Sequence, residues 1–339
     1  MLFKDCLPYL LHQFKSEHDL LSAIEELSQN FTTHRESITE YLNDARLASA
    51  YTAFYLTTNI PKLAAVFKWL PSEWLEELKK CILVDVGAGP GTFTMAWKEW
   101  VGSDFLGVHQ IETSRIMRQQ AQKLWEGIYP NEKLLQFSAP QEQTGSFLLF
   151  GHSANEMGHK EALRYIEKVR PDHILFIEPG TKSFFPEMLK IREELLKTGF
   201  HVLFPCPLET TCPMSNSASD WCHQFIHVRQ NPEVERLSQM MKMDRKLLPL
   251  TVHAYSRTFE HKASERVVRV FPSTKFSFEW DVCLGERVEH YQVMKKSFDK
   301  QTQKELDEVL SGDSIETELE KSLEQAKRVK LIKRNNQTL

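Results

Sequence analysis

No stretch of this 339-residue chain approaches the ~20 consecutive apolar residues that cross a bilayer as a helix. Its start, MLFKDCLPYLLHQFKSEHD, lacks the charged-then-apolar order and the small-residue cleavage site of a secretory signal. An Arg-rich, acid-poor transit peptide is also missing, so a bacterial-type cytoplasmic setting is expected, with no membrane partner. Excess charge of one sign is scarce too. The formal net charge of −4 gives no global basic field, so a nucleic acid has to be met by local patches. Nothing marks disorder: 41% hydrophobic and 26% charged residues suffice for one large core or two modest ones. Cysteine is sparse, six in all, and in a reducing compartment a set of thiols is expected to bind metal and not to form disulfides.

Four of the six cysteines form a set. Cys206, Cys212 and Cys222 lie in PCPLETTCPMSNSASDWCHQF, directly after the apolar run HVLF, and Cys283 ends the alternating segment KFSFEWDVC. Thiolates are soft ligands, and four converging from a loop and a strand suit tetrahedral zinc or an iron–sulfur cluster; spacing alone does not choose between them. Pro205, Pro207 and Pro213 fix φ beside two of these cysteines and stiffen the loop. Cys6 and Cys81 stand alone and read as small buried hydrophobes.

Residues 1–78 carry helix-like periodicity and read as a helical N-terminal lobe, in which the stripe Tyr41, Tyr51, Phe54 and Tyr55 reads as core sooner than as a ligand wall. From 79 to 260 short apolar strands (ILVDVG, FLGVHQIE, SFLLFGHS, HILFIEP, HVLFPCP) alternate with helical stretches. That alternation implies parallel pairing with right-handed crossovers: an α/β, doubly wound sheet, interrupted by the cysteine loop at 205–225. VHAYSRTF reads as the last strand of the sheet, 261–300 as a small β extension supplying the fourth cysteine, and 301–339 as a charged helical tail. Arg266, Arg269, Lys275, Arg287, Lys295 and Lys296 in the extension, and Lys327, Arg328, Lys330, Lys333 and Arg334 in the tail, are the local basic groups that RNA phosphates would meet.

Ligands of doubly wound sheets bind at the carboxyl ends of the strands. The first such loop runs Asp85-Val-Gly87-Ala-Gly89-Pro-Gly91, and its glycines allow close approach to a ligand beside a helix N-terminus. Thr92 stands where the dinucleotide fingerprint wants a small apolar residue, whereas an acid before the glycines and Glu112 at the second strand end suit S-adenosylmethionine. Glu112 would accept from the ribose hydroxyls and Asp85 would orient the methionine end, directly or through water. Gly151-His152-Ser153-Ala154-Asn155-Glu156 ends a later strand at the substrate rim, with Asn155 counted among the cofactor-binding residues and His152 as a loop histidine whose neutral-range pKa suits a base. The Asn/Asp-Pro-Pro-aromatic motif that clamps exocyclic amines is absent.

ILVDVGAGPGTFTMAW, HSANEM, IEPGTKSFFPEMLKIREELLKTGFHVLFPCP, the cysteine stretch and DVCLGERVEHYQVMKKS occur in an order that resembles the methyltransferase-like family of mitochondrial small ribosomal subunit proteins and their bacterial relatives, from about residue 40 to about residue 298. The resemblance implies a class I methyltransferase fold and an S-adenosylmethionine pocket. It also implies a [4Fe–4S] centre on Cys206, Cys212, Cys222 and Cys283, and a role on the small ribosomal subunit, its rRNA and proteins, or in its assembly; the chain is expected to be a monomer. Leu208 departs from the histidine the family often carries two residues after its first cysteine. An active rRNA methyltransferase is the alternative, and a small-molecule methyltransferase with structural zinc a more distant one.

Overall fold

The computed structural model describes residues 3–32, 44–132, 135–137, 145–217, 219–243, 246–260, 265–335 and 337–338. Helix-period segments open the chain: Phe3–Cys6 (α1), Glu17–Thr32 (α2), Ala45–Tyr51 (α3), Thr57–Phe67 (α4) and Ser72–Leu78 (α5). The Asp44 carboxylate starts α3 by accepting from the Arg46 and Leu47 amides, which no earlier carbonyl can reach. A π-helical turn over Thr52–Leu56 joins α3 to α4, with the Thr52 and Thr57 hydroxyls bonding back to the Ala48 and Ala53 carbonyls. Phe54 and Tyr55 are buried in the cluster that this lobe forms with Leu20, Ile24 and Leu47, so these two aromatics of the stripe are core. Tyr41 lies outside the described residues.

The sheet follows: Ile82–Val86 (β1), Thr92–Val101 (α6), Val108–Ile111 (β2), Arg115–Ile128 (α7), Leu135–Phe137 (β3), Ser146–Gly151 (β4), Ala154–Val169 (α8), His173–Pro179 (β5), Phe185–Lys197 (α9), His201–Phe204 (β6), Gln224–His227 (β7), Pro232–Met240 (α10) and Leu247–Ser256 (β8). Strand order is β3-β2-β1-β4-β5-β8-β6, with β7 also on β8. The first five strands pair in parallel, whereas β8 runs antiparallel to β5, β6 and β7. This is the α/β, doubly wound sheet that the alternation of strands and helices implied. VHAYSRTF is the last strand of this sheet in chain order, but it is wedged between β5 and β6. Leu83, Phe147, Leu149 and Leu175 face one helical layer and Val84, Leu148, Ile174 and Phe176 the other, which is why these strands read as continuous apolar runs.

The chain then builds a second sheet from Glu265–Val270 (β9), Ser277–Cys283 (β10), Val288–Met294 (β11), Lys300–Asp307 (α11), Ser314–Ser322 (β12), Lys327–Arg334 (β13) and Gln337–Thr338 (β14). β9 pairs with β10 and β12, β10 with β11, β12 with β13, all antiparallel; β11 and β13 close the circle in parallel. Val267, Phe278, Trp280, Val282, Tyr291, Val293, Ile315, Val329 and Leu331 fill its interior, capped by Leu306 and Val309. The charged helical tail expected from Gln301 onward is therefore corrected: among its described residues only α11 is helical, and Ser314–Ser322 and Lys327–Arg334 supply two barrel strands. Glu, Lys and Leu favour helix in isolation, but alternate burial of Ile315, Val329 and Leu331 settles these strands in the barrel wall.

Candidate functional site

The loop after β1 bends at three glycines with positive φ, Gly87 at +67°, Gly89 at +55° and Gly91 at +88°. Each has its own reason. A Cβ on Gly87 would come within 2.5 Å of Ser153 Cβ, and one on Gly91 within 2.8 Å of the Gln110 amide nitrogen. At Gly89 a Cβ would meet nothing within 4 Å, so this backbone borders open space at the strand's carboxyl end. The Gly89 N–H donates to Glu112 Oε2 at 2.8 Å, and the Ser114 N–H to Glu112 Oε1 at 2.7 Å. Glu112 thus stands half-buried beside the loop, as its place after β2 leads one to expect.

Asp85 lies beneath the loop, almost fully buried, where its Oδ2 accepts from the Thr94 N–H at 3.1 Å and from the Thr94 hydroxyl at 2.8 Å. Burial pushes its carboxyl up to about 7 against the pull of those two donors. Gln110, also buried, donates to the Thr94 hydroxyl at 2.9 Å, so the strand, loop and helix share one polar knot.

The other rim is built by a residue that the motif reading passed over. Glu178, fully buried near the end of β5, accepts from the Ser153, Ala154 and Asn155 amides at 3.1, 2.9 and 3.2 Å. It serves as the cap for the N-terminus of α8, and burial pushes its carboxyl up to about 8. With its amide nitrogen turned inward, the Asn155 side chain donates to Glu178 Oε2 at 2.7 Å and to the His152 carbonyl at 3.1 Å. The signal in the sequence was a carboxylate inside the apolar run HILFIEP. His152, at φ +61°, stacks on Phe93 and meets Lys62 Nζ at 2.8 Å through Nε2. Lys62 comes from α4 and is itself buried, so the helical lobe reaches the rim. Tyr51 belongs to the same wall: burial holds its phenol well above the usual range, and the Glu156, Glu112 and Asp85 carboxylates add to this.

The four cysteines of the set line one small cavity of about 20 Å³. Cys206 follows β6, Cys222 precedes β7, Cys212 lies in the loop between, and Cys283 ends β10 of the barrel. All four are free thiols. Two arginines border the cavity. Arg192 donates from Nε to Cys206 Sγ at 3.3 Å and from Nη2 to the Leu208 and Thr210 carbonyls. Arg266, fully enclosed, donates to the Pro205 and Gly312 carbonyls. The Gly285 N–H points at Cys283 Sγ at 3.4 Å and the Gln224 amide at Cys222 Sγ at 3.5 Å. Burial raises the Cys212 and Cys222 thiols and lifts Cys283 to about 11. Among the described residues no three His, Cys, Asp or Glu form a group that could hold a metal ion. Cys6 and Cys81 are buried, as their isolation implied.

The chain is similar over part of its length to several solved methyltransferases. Magnesium protoporphyrin IX methyltransferase from Synechocystis PCC 6803, with bound S-adenosylmethionine, is 10% identical over 69% of this chain and 96% of its own, with a TM-score of 0.38. A SAM-dependent methyltransferase from Aquifex aeolicus is 18% identical over 43% of this chain and 89% of its own, at a TM-score of 0.31. The ribosomal protein L11 methylase of Lactobacillus delbrueckii subsp. bulgaricus is 12% identical over 59% and 79%, at 0.34. No curated protein matches by sequence. The model of the family described as mitochondrial small ribosomal subunit Rsm22 matches residues 45–305, a span that takes in the glycine loop, the rim and all four cavity cysteines, and the chain belongs to that family.

Proposed function

We propose that this protein binds S-adenosylmethionine at the glycine loop, holds a [4Fe–4S] cluster between Cys206, Cys212, Cys222 and Cys283, and acts as a monomeric assembly factor on the small ribosomal subunit. The observation that carries the cofactor reading is the open space over Gly89, flanked by Glu112 and bent by three positive φ values. Gly87, Gly89 and Gly91 let the backbone approach the ligand, Glu112 is placed for ribose hydroxyls, and Asp85 and Asn155 hold the loop and the opposite rim in shape. When bound, the cofactor supplies an electrophilic methyl group. The ribosomal partner rests on the family, whose description also names mitochondria; the cytoplasmic setting is part of the proposal.

Four thiols that line one cavity suit a cluster or a single zinc ion. The choice of a cluster rests on the family resemblance. Arg192 and Arg266 would offset the negative charge of the ligated thiolates, and the Gly285 and Gln224 donors would tune the sulfurs.

Oxygen-free purification is expected to give a brown protein with about four irons per chain; a colourless protein with one zinc overturns the cluster. Gly89→Arg is expected to abolish S-adenosylmethionine binding in calorimetry while leaving the iron content in place and lowering the thermal midpoint only by the backbone cost that Gly89→Ala also pays. Cosedimentation with small-subunit precursors at low salt checks the partner, and free protein in the supernatant sinks it. Turnover on rRNA is the second reading, favoured by the Lys62–His152 pair at the rim. It requires one rRNA methyl mark that disappears in a deletion strain and returns with the wild type but not with Gly89→Arg.

A further inference from the structure

The second sheet, β9-β10-β11-β13-β12, is a five-stranded closed barrel with antiparallel β9–β10–β11, a helix between its third and fourth strands, and a parallel closure of third on fifth. That is the connectivity of the oligonucleotide-binding barrel, whose working surface is the outer face of the second and third strands and the loop between the first and second. In this chain one end of that face is already covered. Arg266 and Cys283, paired across β9 and β10, turn into the thiol cavity. The opposite end carries the loop 271–276 and stays open.

The open end has the chemistry of a base-stacking platform. Phe276 is 66% exposed, more than any other large hydrophobic residue among the described ones, and Lys275 Nζ sits 5.6 Å from its ring centre. Phe271 meets the His290 ring edge-on at 5.1 Å, and the Arg269 guanidinium lies 5.8 Å from the Phe271 ring centre. Asp220 and Asp281 hold Arg269 in that position. Lys295 and Lys296 follow β11 at the same end, with the Lys295 N–H donating to the Phe276 carbonyl. Asp220 precedes Trp221, whose indole N–H donates to the Gly180 carbonyl just past β5, so the platform leads toward the rim of the glycine-loop site.

We propose that this end of the barrel binds single-stranded RNA, with bases stacking on Phe276 and Phe271 and phosphates met by Lys275, Lys295, Lys296 and Arg269. Stacking carries most of the affinity, because Lys and Arg only balance Asp and Glu within 265–335, fourteen of each. The inference deepens the ribosomal reading by naming the surface and the kind of RNA.

The test is fluorescence anisotropy of the full-length, anaerobically prepared protein with a labelled mixed-sequence RNA of about 12 nucleotides, a length within the range one such barrel covers. Phe276→Ala and Phe271→Ala are each expected to weaken binding about tenfold and Phe276→Trp to keep it. Phe276 is exposed, so its variant leaves the fold, iron content and S-adenosylmethionine binding unchanged. Wild-type affinity in both alanine variants, or preference for a duplex of the same length, overturns the inference without touching the cofactor reading. Loss of cosedimentation with small subunits in Phe276→Ala, at unchanged RNA affinity, also overturns it and assigns the face to a protein partner.

Discussion

Glu178 has no exposure, and burial lifts its carboxyl from 4.5 to about 8 despite three backbone donors. Unfolded, it ionises near 4.5; folded, it keeps its proton to about pH 8. Between those values the native state binds more protons, so this group's contribution to stability falls as pH rises, by an amount on the order of a few kcal/mol. Urea titrations of wild type and Glu178→Gln are expected to give a stability difference that shifts in favour of the variant from pH 5 to 8. A difference independent of pH would contradict the burial argument. The glycines separate two further effects. Gly87→Ala combines a left-handed backbone with a collision against Ser153, whereas Gly89→Ala has the backbone cost alone. We expect losses of about 2 kcal/mol or more for the first and about 1 kcal/mol for the second in thermal unfolding.

At the scale of elements, the β strands of the sheet were readable because burial on both faces leaves runs such as ILVDV and SFLLF with little else to be. The last two barrel strands were not. SIETELEKS and KRVKLIKR fully bury only Ile315, Val329 and Leu331, inward positions too sparse to outweigh the helix preference of Glu and Lys. If these residues close a barrel, Val329→Asp buries an unpaired charge and should cost about 3 kcal/mol or more. Ending the chain at 312 should bare the edges of β9 and β11 and give aggregated protein, whereas a dispensable tail would leave it soluble.

At the scale of the whole molecule, the thiol cavity joins two sheets. Three cysteines come from the segment between β6 and β7 and the fourth from the barrel, and Arg266 crosses the same seam to the Pro205 carbonyl. Cys283→Ser is expected to lower iron from about four per chain to below one, and to lower the thermal midpoint, because binding at a seam is also folding energy for the seam. Normal iron content in that variant would remove the barrel from the ligand set.

The doubly wound sheet, the glycine loop with Glu112 beside it and the grouping of four cysteines were legible along the chain, since each rests on local signals: continuous apolar strands, backbone freedom at glycine and the softness of sulfur. That Glu178 caps α8, that Lys62 reaches His152 from the helical lobe and that the charged C-terminal segment is barrel wall emerged only from the folded chain. Those outcomes depend on which distant groups share a buried space, where an unpaired amide or carboxylate is costly, and no neighbour along the chain records that.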